Sequence, residues 1–173
     1  MSLYGDPDEL DRIATQIERR ADQVRCHAGE MESKAATTRW RSTSADRCRE
    51  TIAADRSKLE QAAERMDGAA ALLRQHAQAL RELLALIKRT EEAVVGWFNQ
   101  AIDRFNRAVE RFQEVVEGVF EKVGEVLGVN GDRPEPPTPP WRNWPYQPGY
   151  LPRAGDKAWL DVGEFMRRQG VLR

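Results

Sequence analysis

Apolar residues recur every seven positions through the first half of the chain, and alanines recur at a second position of the same repeat. In the first stretch they are Leu10, Ile17, Val24 and Met31, with Ala14, Ala21, Ala28 and Ala35. In the second stretch they are Ala45, Ile52, Leu59, Met66, Leu73, Leu80 and Ile87, flanked by Ala63, Ala70, Ala77 and Leu84. Such a repeat predicts helices that pack along a seam, here over 7–38 and 45–87.

The connection between these helices is short and contains a single tryptophan, Trp40. Asp6 and Pro7 are typical of a helix start, and Ser44 is a candidate N-cap for the second helix. A short connection makes two helices antiparallel, so we predict a hairpin that bends near Trp40. The bend puts residue 7 opposite residue 75. Apolar residues beyond that point need cover from elsewhere: Leu80, Leu83, Leu84 and Ile87.

A third apolar stripe follows, with alternating spacings of about 3 and 4 residues. Its members are Phe98, Ile102, Phe105, Val109, Phe112, Val116, Val119, Val123 and Leu127. Thr90 is a candidate cap, and the acidic residues after it suit a helix N-terminus. The stripe predicts a third amphipathic helix over 96–131. The pattern leaves open whether this helix folds back or continues the second helix as one rod.

Prolines and aromatic residues dominate the end of the chain, and the eight prolines between 133 and 153 predict a polyproline-II linker. The predicted fold is all-α: a hairpin at 1–95, a third long helix at 96–131, a largely irregular proline-rich linker at 132–155 and a short helical segment at 156–173. The tail is either a passive linker or a recognition segment, since rigid polyproline loses little entropy on binding. Candidate recognition residues are Trp141, Trp144, Tyr146, Tyr150, Trp159 and Phe165.

Charge and hydropathy limit the classes of function. The 173 residues hold 27 Lys+Arg and 28 Asp+Glu, a balance that argues against a dedicated nucleic-acid binder. A mean hydropathy of −0.68 and the short apolar runs predict no membrane span. The first residues lack the basic and then apolar stretch of a secretory signal, which predicts a cytoplasmic protein as far as that export route is concerned.

Residues that could support catalysis or bind a cofactor are sparse and scattered. The histidines, His27 and His76, are about 30 Å apart along the predicted hairpin, too far to share a metal. Cys26 and Cys48 are offset by about 12 Å along the helices, which exceeds the reach of a disulfide. The sequence contains no phosphate-binding loop and no Ser/His/Asp set. We therefore predict no enzymatic activity, no cofactor and no metal.

The hairpin resembles the WXG-motif, ESAT-like proteins of type VII (ESX) secretion. The matching residues are Trp40, Arg41 and Ser42 at the bend, followed by Ala45 and the seam, and the resemblance covers residues 1–95. Ser42 stands where the family has glycine, and the family's Tyr-X-X-X-Asp/Glu export signal is absent after the second helix. The resemblance implies a four-helix dimer, homo- or heterodimeric, that is exported folded without a cleaved signal. Usage rich in Arg and Ala fits an actinobacterial source.

The leading hypothesis is an ESX secretion-associated protein, either a substrate or a secretion partner, found outside the cell or at its envelope. Its partner would be a second copy, another WXG-like protein, or a toxin or other cargo. The predicted interface comprises Leu10, Ile17, Val24, Met31, Leu59, Met66, Leu73, Leu80 and Ile87. The alternative is a cytoplasmic adaptor or chaperone that holds a toxin or enzyme through residues 133–173. A membrane-surface helix at 97–128 is disfavoured, because residues 91–131 hold 4 basic and 8 acidic side chains.

Overall fold

The computed structural model describes residues 5–123 and 135–172, with residues 119–123 as helical backbone. These residues form three α-helices and no strand, as the predicted all-α class requires: α1 (Pro7–Thr37), α2 (Thr43–Val123) and α3 (Ala158–Arg168). Positions 124–131 of the predicted third helix, 132–134 of the predicted linker and Arg173 lie outside the described residues. None of the described helices carries an apolar stretch of the length that crossing a bilayer needs.

α1 begins at the predicted residue and ends one residue before the predicted end. Asp6 is its N-cap, and the Asp6 Oδ1 accepts a hydrogen bond from the N–H of Asp8 at 2.9 Å. Pro7 occupies the first helical position, where its missing N–H costs nothing. The acidic residues of the first turn lie near the positive end of the helix dipole. These local signals explain why the predicted start of the first helix is confirmed.

α2 begins directly after Ser42, and this serine is its N-cap. The Ser42 Oγ accepts from the N–H of Ala45 at 3.1 Å, and the Ser42 carbonyl accepts from the N–H of Asp46 at 3.1 Å. The prediction that Ser44 caps this helix is wrong, since Ser44 already lies in the first turn. The first N–H groups of a helix lack partners within the helix, and Ser42 supplies one.

α2 continues without a break through the point where the sequence predicts a new helix. It has 81 residues, so residues 96–123 belong to it and the predicted third long helix is not a separate element. Thr90, the candidate cap, is buried, and its hydroxyl donates to the carbonyl of Leu86 at 2.9 Å. Threonine makes this bond to the preceding turn inside helices. No proline interrupts this stretch, and Gly96 is accommodated within the helix.

The chain forms two compact units, Met1–Leu83 and Leu84–Arg173, and the boundary falls within α2. In the first unit α1 packs against residues 43–83 of α2, and we call these two segments the helix pair. Ion pairs connect them in opposite order along the chain: Asp11 with Arg81, Glu18 with Arg74, and Arg25 with Asp67. The predicted register is wrong, because the start of α1 pairs with Arg81 rather than lying opposite residue 75.

In the second unit, α3 lies close to α2 at a glycine. A Cβ on Gly163 would overlap the Cγ2 of Thr90, so only glycine permits this approach. At the next residue of α2, the Oε2 of Glu91 accepts from the N–H of Gly155 at 3.0 Å. The buried side chains of the unit come from both segments: Ile87, Val94, Phe98, Ala101, Trp141, Trp159, Val162 and Met166.

The described part of the predicted linker contains hydrogen-bonded turns instead of a continuous extended segment. The N–H of Arg142 bonds the carbonyl of Pro139, and the N–H of Trp144 bonds the carbonyl of Trp141, both at 3.0 Å. α3 follows within the predicted range. It ends at Arg168, and Gly170 two residues later has a φ of 72°, the left-handed conformation that commonly follows a helix C-terminus.

Candidate functional site

The contact between α1 and α2 consists of alanines. Each helix contributes one alanine per seven residues, and these side chains are at most 1% exposed: Ala14, Ala21 and Ala28 from α1, with Ala63, Ala70 and Ala77 from α2. Methyl groups at every contact position allow the two backbones to approach closely. The larger aliphatic residues of the repeat are therefore displaced to one side of this alanine seam.

Ion pairs flank the alanine seam on one side. Apart from Asp8, the members named here occupy one position of the seven-residue repeat, which in α1 lies three residues before each alanine of the seam. The Arg74 Nη2 lies 2.6 Å from the Glu18 Oε2, and the Arg81 Nη2 lies 2.6 Å from the carboxylates of both Asp8 and Asp11. The hydrogen bond from Arg74 holds the pKa of Glu18 below its usual value, and the same bond raises the pKa of Arg74.

Large aliphatic side chains flank the seam on the other side. An α-helix has 3.6 residues per turn, so each aliphatic residue, four positions before an alanine of the seam, points about 40° away from that alanine around the helix axis. The charged residues, three positions before an alanine, point to the other side of the seam. Val24 and Met66 line one shallow groove together with Arg20, Gln23 and His27, which brings the aliphatic positions of the two helices onto one surface. We call this surface the apolar face; its half-buried members are Leu10, Ile17, Val24, Leu59, Met66 and Leu73.

The apolar face includes most, but not all, of the predicted interface. Met31 also remains accessible, with 44% exposure. Leu80 and Ile87 do not, because they are 7% and 1% exposed within the chain itself. Both were predicted to need cover beyond the hairpin and to belong to the partner interface, and the chain itself supplies that cover. Sequence reasoning missed two exposed apolar residues on the same side of the helix pair, Ile13 and Leu72, which the seven-residue repeat would have assigned to the rim of this face.

The connection at residues 38–42 contains Trp40, which is 53% exposed. The guanidinium of Arg49 holds this connection, donating to the carbonyls of Ala35, Thr38 and Trp40 at 3.3, 3.2 and 2.8 Å. Sequence reasoning missed this role. The sequence did contain a hint of this role: Arg49 stands at the position of the seven-residue repeat that alanine occupies further along α2, and an arginine there cannot be part of the alanine seam.

The predicted recognition residues of the tail form a ring cluster with α2. Trp97 stacks on Trp144 with ring centroids 5.1 Å apart, and Trp141 makes edge contacts with Phe98 and Phe105 at 6.0 Å. Phe165 makes edge contacts with the rings of Trp144 and Tyr146, and Trp159 is 2% exposed. Of the six candidates only Tyr150, which is 80% exposed, faces solvent. Five of the predicted recognition residues thus have contacts within the chain.

The scattered polar candidates do not assemble into a centre. His27, His76, Cys26 and Cys48 are all exposed, and both cysteines are free thiols. Across residues 5–123 and 135–172, no group of three or more His, Cys, Asp or Glu side chains is arranged to hold a metal ion. What the apolar face and the connection offer chemically is noncovalent contact.

Comparisons with protein-family models, with curated proteins and with solved structures find no match for this chain.

Proposed function

We propose that this protein acts by helix–helix association, as an ESX secretion-associated, WXG-like protein that buries its apolar face against a second helical protein. In this proposal α1 and the first part of α2 form an antiparallel hairpin, and a partner hairpin completes a four-helix bundle. The observation that carries the proposal is the division of the repeat: alanines alone fill the contact between the helices, while the larger aliphatic residues lie beside it, half exposed.

The energetics of the helix pair support a need for a partner. Alanine contacts bury little apolar area, so the pair gains less from its own seam than larger residues would provide. A partner that covered about 1,000 Å² of apolar surface would contribute a gross term of about 25 kcal/mol. The loss of translational and rotational freedom then takes about 4–15 kcal/mol of this gain. The remainder suffices for a stable complex.

The assignment to ESX secretion rests on the motif and its setting. Trp40 and Arg41 are exposed in the connection between two helices that carry the seven-residue repeat, and Ser42 caps the second of them. In the proposed role the folded protein leaves the cell with its partner and without a cleaved signal. The partner then supplies the export signal that this chain lacks after its second helix.

The alternative, an adaptor that holds a toxin or enzyme through residues 133–173, has less support. It needs the tail aromatics to be available for the client, whereas Trp141, Trp144 and Phe165 contact other rings of the same chain. Among residues 135–172, Tyr150 is the large hydrophobic side chain that is exposed.

Light scattering after size exclusion on the full chain tests the association. We expect a dimer, or a monomer that dimerises with the product of a neighbouring gene. The double substitution Val24→Glu and Met66→Glu should weaken the complex at least about tenfold, because it buries two unpaired charges in the interface. Ala71→Glu is the matched control, since Ala71 is exposed on the opposite side of the helix pair and should leave the mass unchanged.

A monomer both alone and in that mixture would overturn the proposal, as would a double variant that retains the wild-type mass. Export is tested separately. The protein should appear in the culture filtrate and disappear from it when the ESX motor is disabled. If the protein associates with its partner but is not exported in this way, the proposed helix–helix association stands and the assignment to ESX secretion is wrong.

A further inference from the structure

The part of α2 beyond the tail aromatics is less covered than the part that contacts them. Phe98 and Ala101 are 2% and 7% exposed under the C-terminal segment, residues 135–172. From 102 to 118, in contrast, every side chain is half-buried or exposed, and Val115 is 62% exposed. We call residues 106–118 the distal part of α2. It has apolar surface that is left open in the described structure.

The apolar residues of this region follow a seven-residue repeat with two apolar positions. The first position holds β-branched residues and the second holds phenylalanine: Ile102, Val109 and Val116, with Phe98, Phe105 and Phe112. Spacings that alternate between three and four residues average 3.5, which is the period of helices that wind around each other. The sequence continues the repeat with Val119 and Val123, and α2 is helical as far as Val123. The distal part therefore has the pattern of one strand of a coiled coil.

Charged residues are kept away from both sides of these apolar positions. Those of the distal part all occupy the three outward positions of the repeat: Arg107, Glu110, Arg111, Glu114 and Glu117. The two positions that flank the apolar residues hold neutral side chains instead: Asn106, Ala108, Gln113 and Val115. In coiled coils the flanking positions set the choice of partner through their charges. Two identical helices can therefore pair here without bringing like charges together.

The helix pair of the first unit shows how this chain selects an unlike helix. There one flanking position is charged, and Glu18 of α1 pairs with Arg74 of α2 as Asp11 pairs with Arg81. Such pairs attract helices of opposite charge, whereas two copies of one helix would place like charges side by side. The neutral flanks of the distal part therefore fit a second copy of the same helix better than a helix selected by charge.

We propose that the distal part of α2 pairs with the distal part of a second copy of this chain as a parallel, two-stranded coiled coil. β-branched residues at the first apolar position favour two parallel strands. Val109, Phe112 and Val116 then lie beside their own counterparts, and Val115 is covered at the edge. Because this stretch is short, it associates at a higher protein concentration than the apolar face does. The two surfaces are separate, and this pairing does not depend on the proposed function.

Cysteine cross-linking of the full chain tests the orientation. The starting chain carries Cys26→Ser and Cys48→Ser, which removes the native free thiols. In a glutathione redox buffer, Val109→Cys and Val116→Cys should each form a disulfide-linked dimer with itself. A parallel pairing in register places identical residues of the first apolar position within reach of a disulfide.

The matched controls for cross-linking are Glu110→Cys and Glu117→Cys, each one residue further along at an outward position. They should give at least about tenfold less dimer, since the coiled coil does not raise the effective concentration of outward thiols. Cross-linking no greater than in these controls would overturn the proposal. Dimers that form only when Val109→Cys and Val116→Cys chains are mixed would indicate antiparallel helices and would overturn it as well.

Sedimentation equilibrium over a concentration series tests the contact itself. The starting chain carries Val24→Glu and Met66→Glu, which disable the apolar face, and should change from monomer to dimer as its concentration rises. Adding Phe112→Asp should raise the dissociation constant at least about tenfold, because the dimer would bury two unpaired carboxylates. Arg111→Asp is the matched control, since Arg111 is exposed at an outward position and should leave the dissociation constant unchanged.

Circular dichroism checks that each variant keeps its helix content and gives its thermal stability. A starting chain that stays monomeric at every concentration would contradict the pairing. So would a Phe112→Asp variant that loses thermal stability and keeps the dissociation constant of the starting chain, because the chain's own residues would then be the cover of Phe112.

Discussion

The two units of this protein use one long helix in opposite ways. In the first unit α2 offers alanines to its neighbour, and the larger aliphatic residues of the same repeat remain half exposed. In the second unit α2 offers Trp97, Phe98 and Phe105, and the C-terminal segment covers them with further rings. A contact made of small residues leaves large ones available for another molecule, whereas a contact made of large residues uses them within the chain.

The largest effect that separates the two units should come from tryptophan. We expect Trp141→Ala to destabilise the second unit by about 3–5 kcal/mol, because it leaves a large cavity among the rings of Trp97, Phe98 and Phe105. Trp40→Ala removes the same side chain from an exposed position in the first unit and should change stability by less than about 0.5 kcal/mol. Urea unfolding followed by circular dichroism measures both. Equal losses would remove the distinction between a ring that packs and a ring that faces solvent.

A second test concerns the alanine seam. Ala70→Leu inserts a large side chain where two backbones approach closely, and we expect a loss of about 1–3 kcal/mol from the first unit. Its neighbour Ala71 is exposed, so Ala71→Leu should be nearly neutral. Thermal unfolding of the two variants, whose composition is identical, gives a direct comparison. A neutral Ala70→Leu would mean that the helices do not need methyl groups at their contact.

The connection between α1 and α2 provides a smaller effect. Arg49→Lys keeps the charge but cannot reach three carbonyls in the fixed geometry of a guanidinium, so we expect a loss of about 1 kcal/mol. Arg47→Lys is the matched control, since the Arg47 side chain is exposed on the same turn of α2. Hydrogen exchange of residues 38–42 should accelerate only in the first variant. Equal acceleration in both would remove Arg49 from its role.

The smallest expected effect is that of pH on the charged side of the helix pair. The Arg74 hydrogen bond lowers the pKa of Glu18 from 4.5, so its contribution to stability is present above that pH and is lost as the pH falls through the lower folded value. Glu18→Gln should therefore flatten the pH dependence of unfolding below pH 4.5, whereas Glu64→Gln, at an exposed position without an ion pair in the described structure, should not. Identical pH profiles for the wild type and Glu18→Gln would contradict this.

Local signals predicted much of the helical structure. Asp6 and Pro7 define the start of α1, and the repeat of alanines marks the seam because small residues are needed at each contact. The register could not be predicted, since it depends on how Arg49 holds the connection through the carbonyls of Ala35, Thr38 and Trp40, and these contacts are tertiary. Thr90 followed by two glutamates resembles a helix start, but tertiary packing buries this threonine inside a continuous helix.

The docked tail was the least predictable feature. Proline-rich composition is typical of a linker, and nothing local to Trp141 or Trp144 says which surface these rings contact. The rings of Phe98 and Phe105 lie far away in the sequence and were predicted only as one stripe of a third helix. The pairing of two aromatic sets depends on shape, which the glycine at 163 makes possible, and shape is not visible in a pattern of residue types.

The alanine seam also determines how this protein can change over time. Positions such as Ala21 and Ala70 tolerate glycine or serine, but hardly any larger residue, because two backbones already occupy the space. The charged positions beside them can change in another way: an acidic residue at position 74 together with a basic residue at position 18 would keep the attraction between Glu18 and Arg74. In sequences that diverge from this one, we therefore expect small residues to be kept at the alanine positions of the repeat. At the charged positions we expect only that paired residues keep opposite charges.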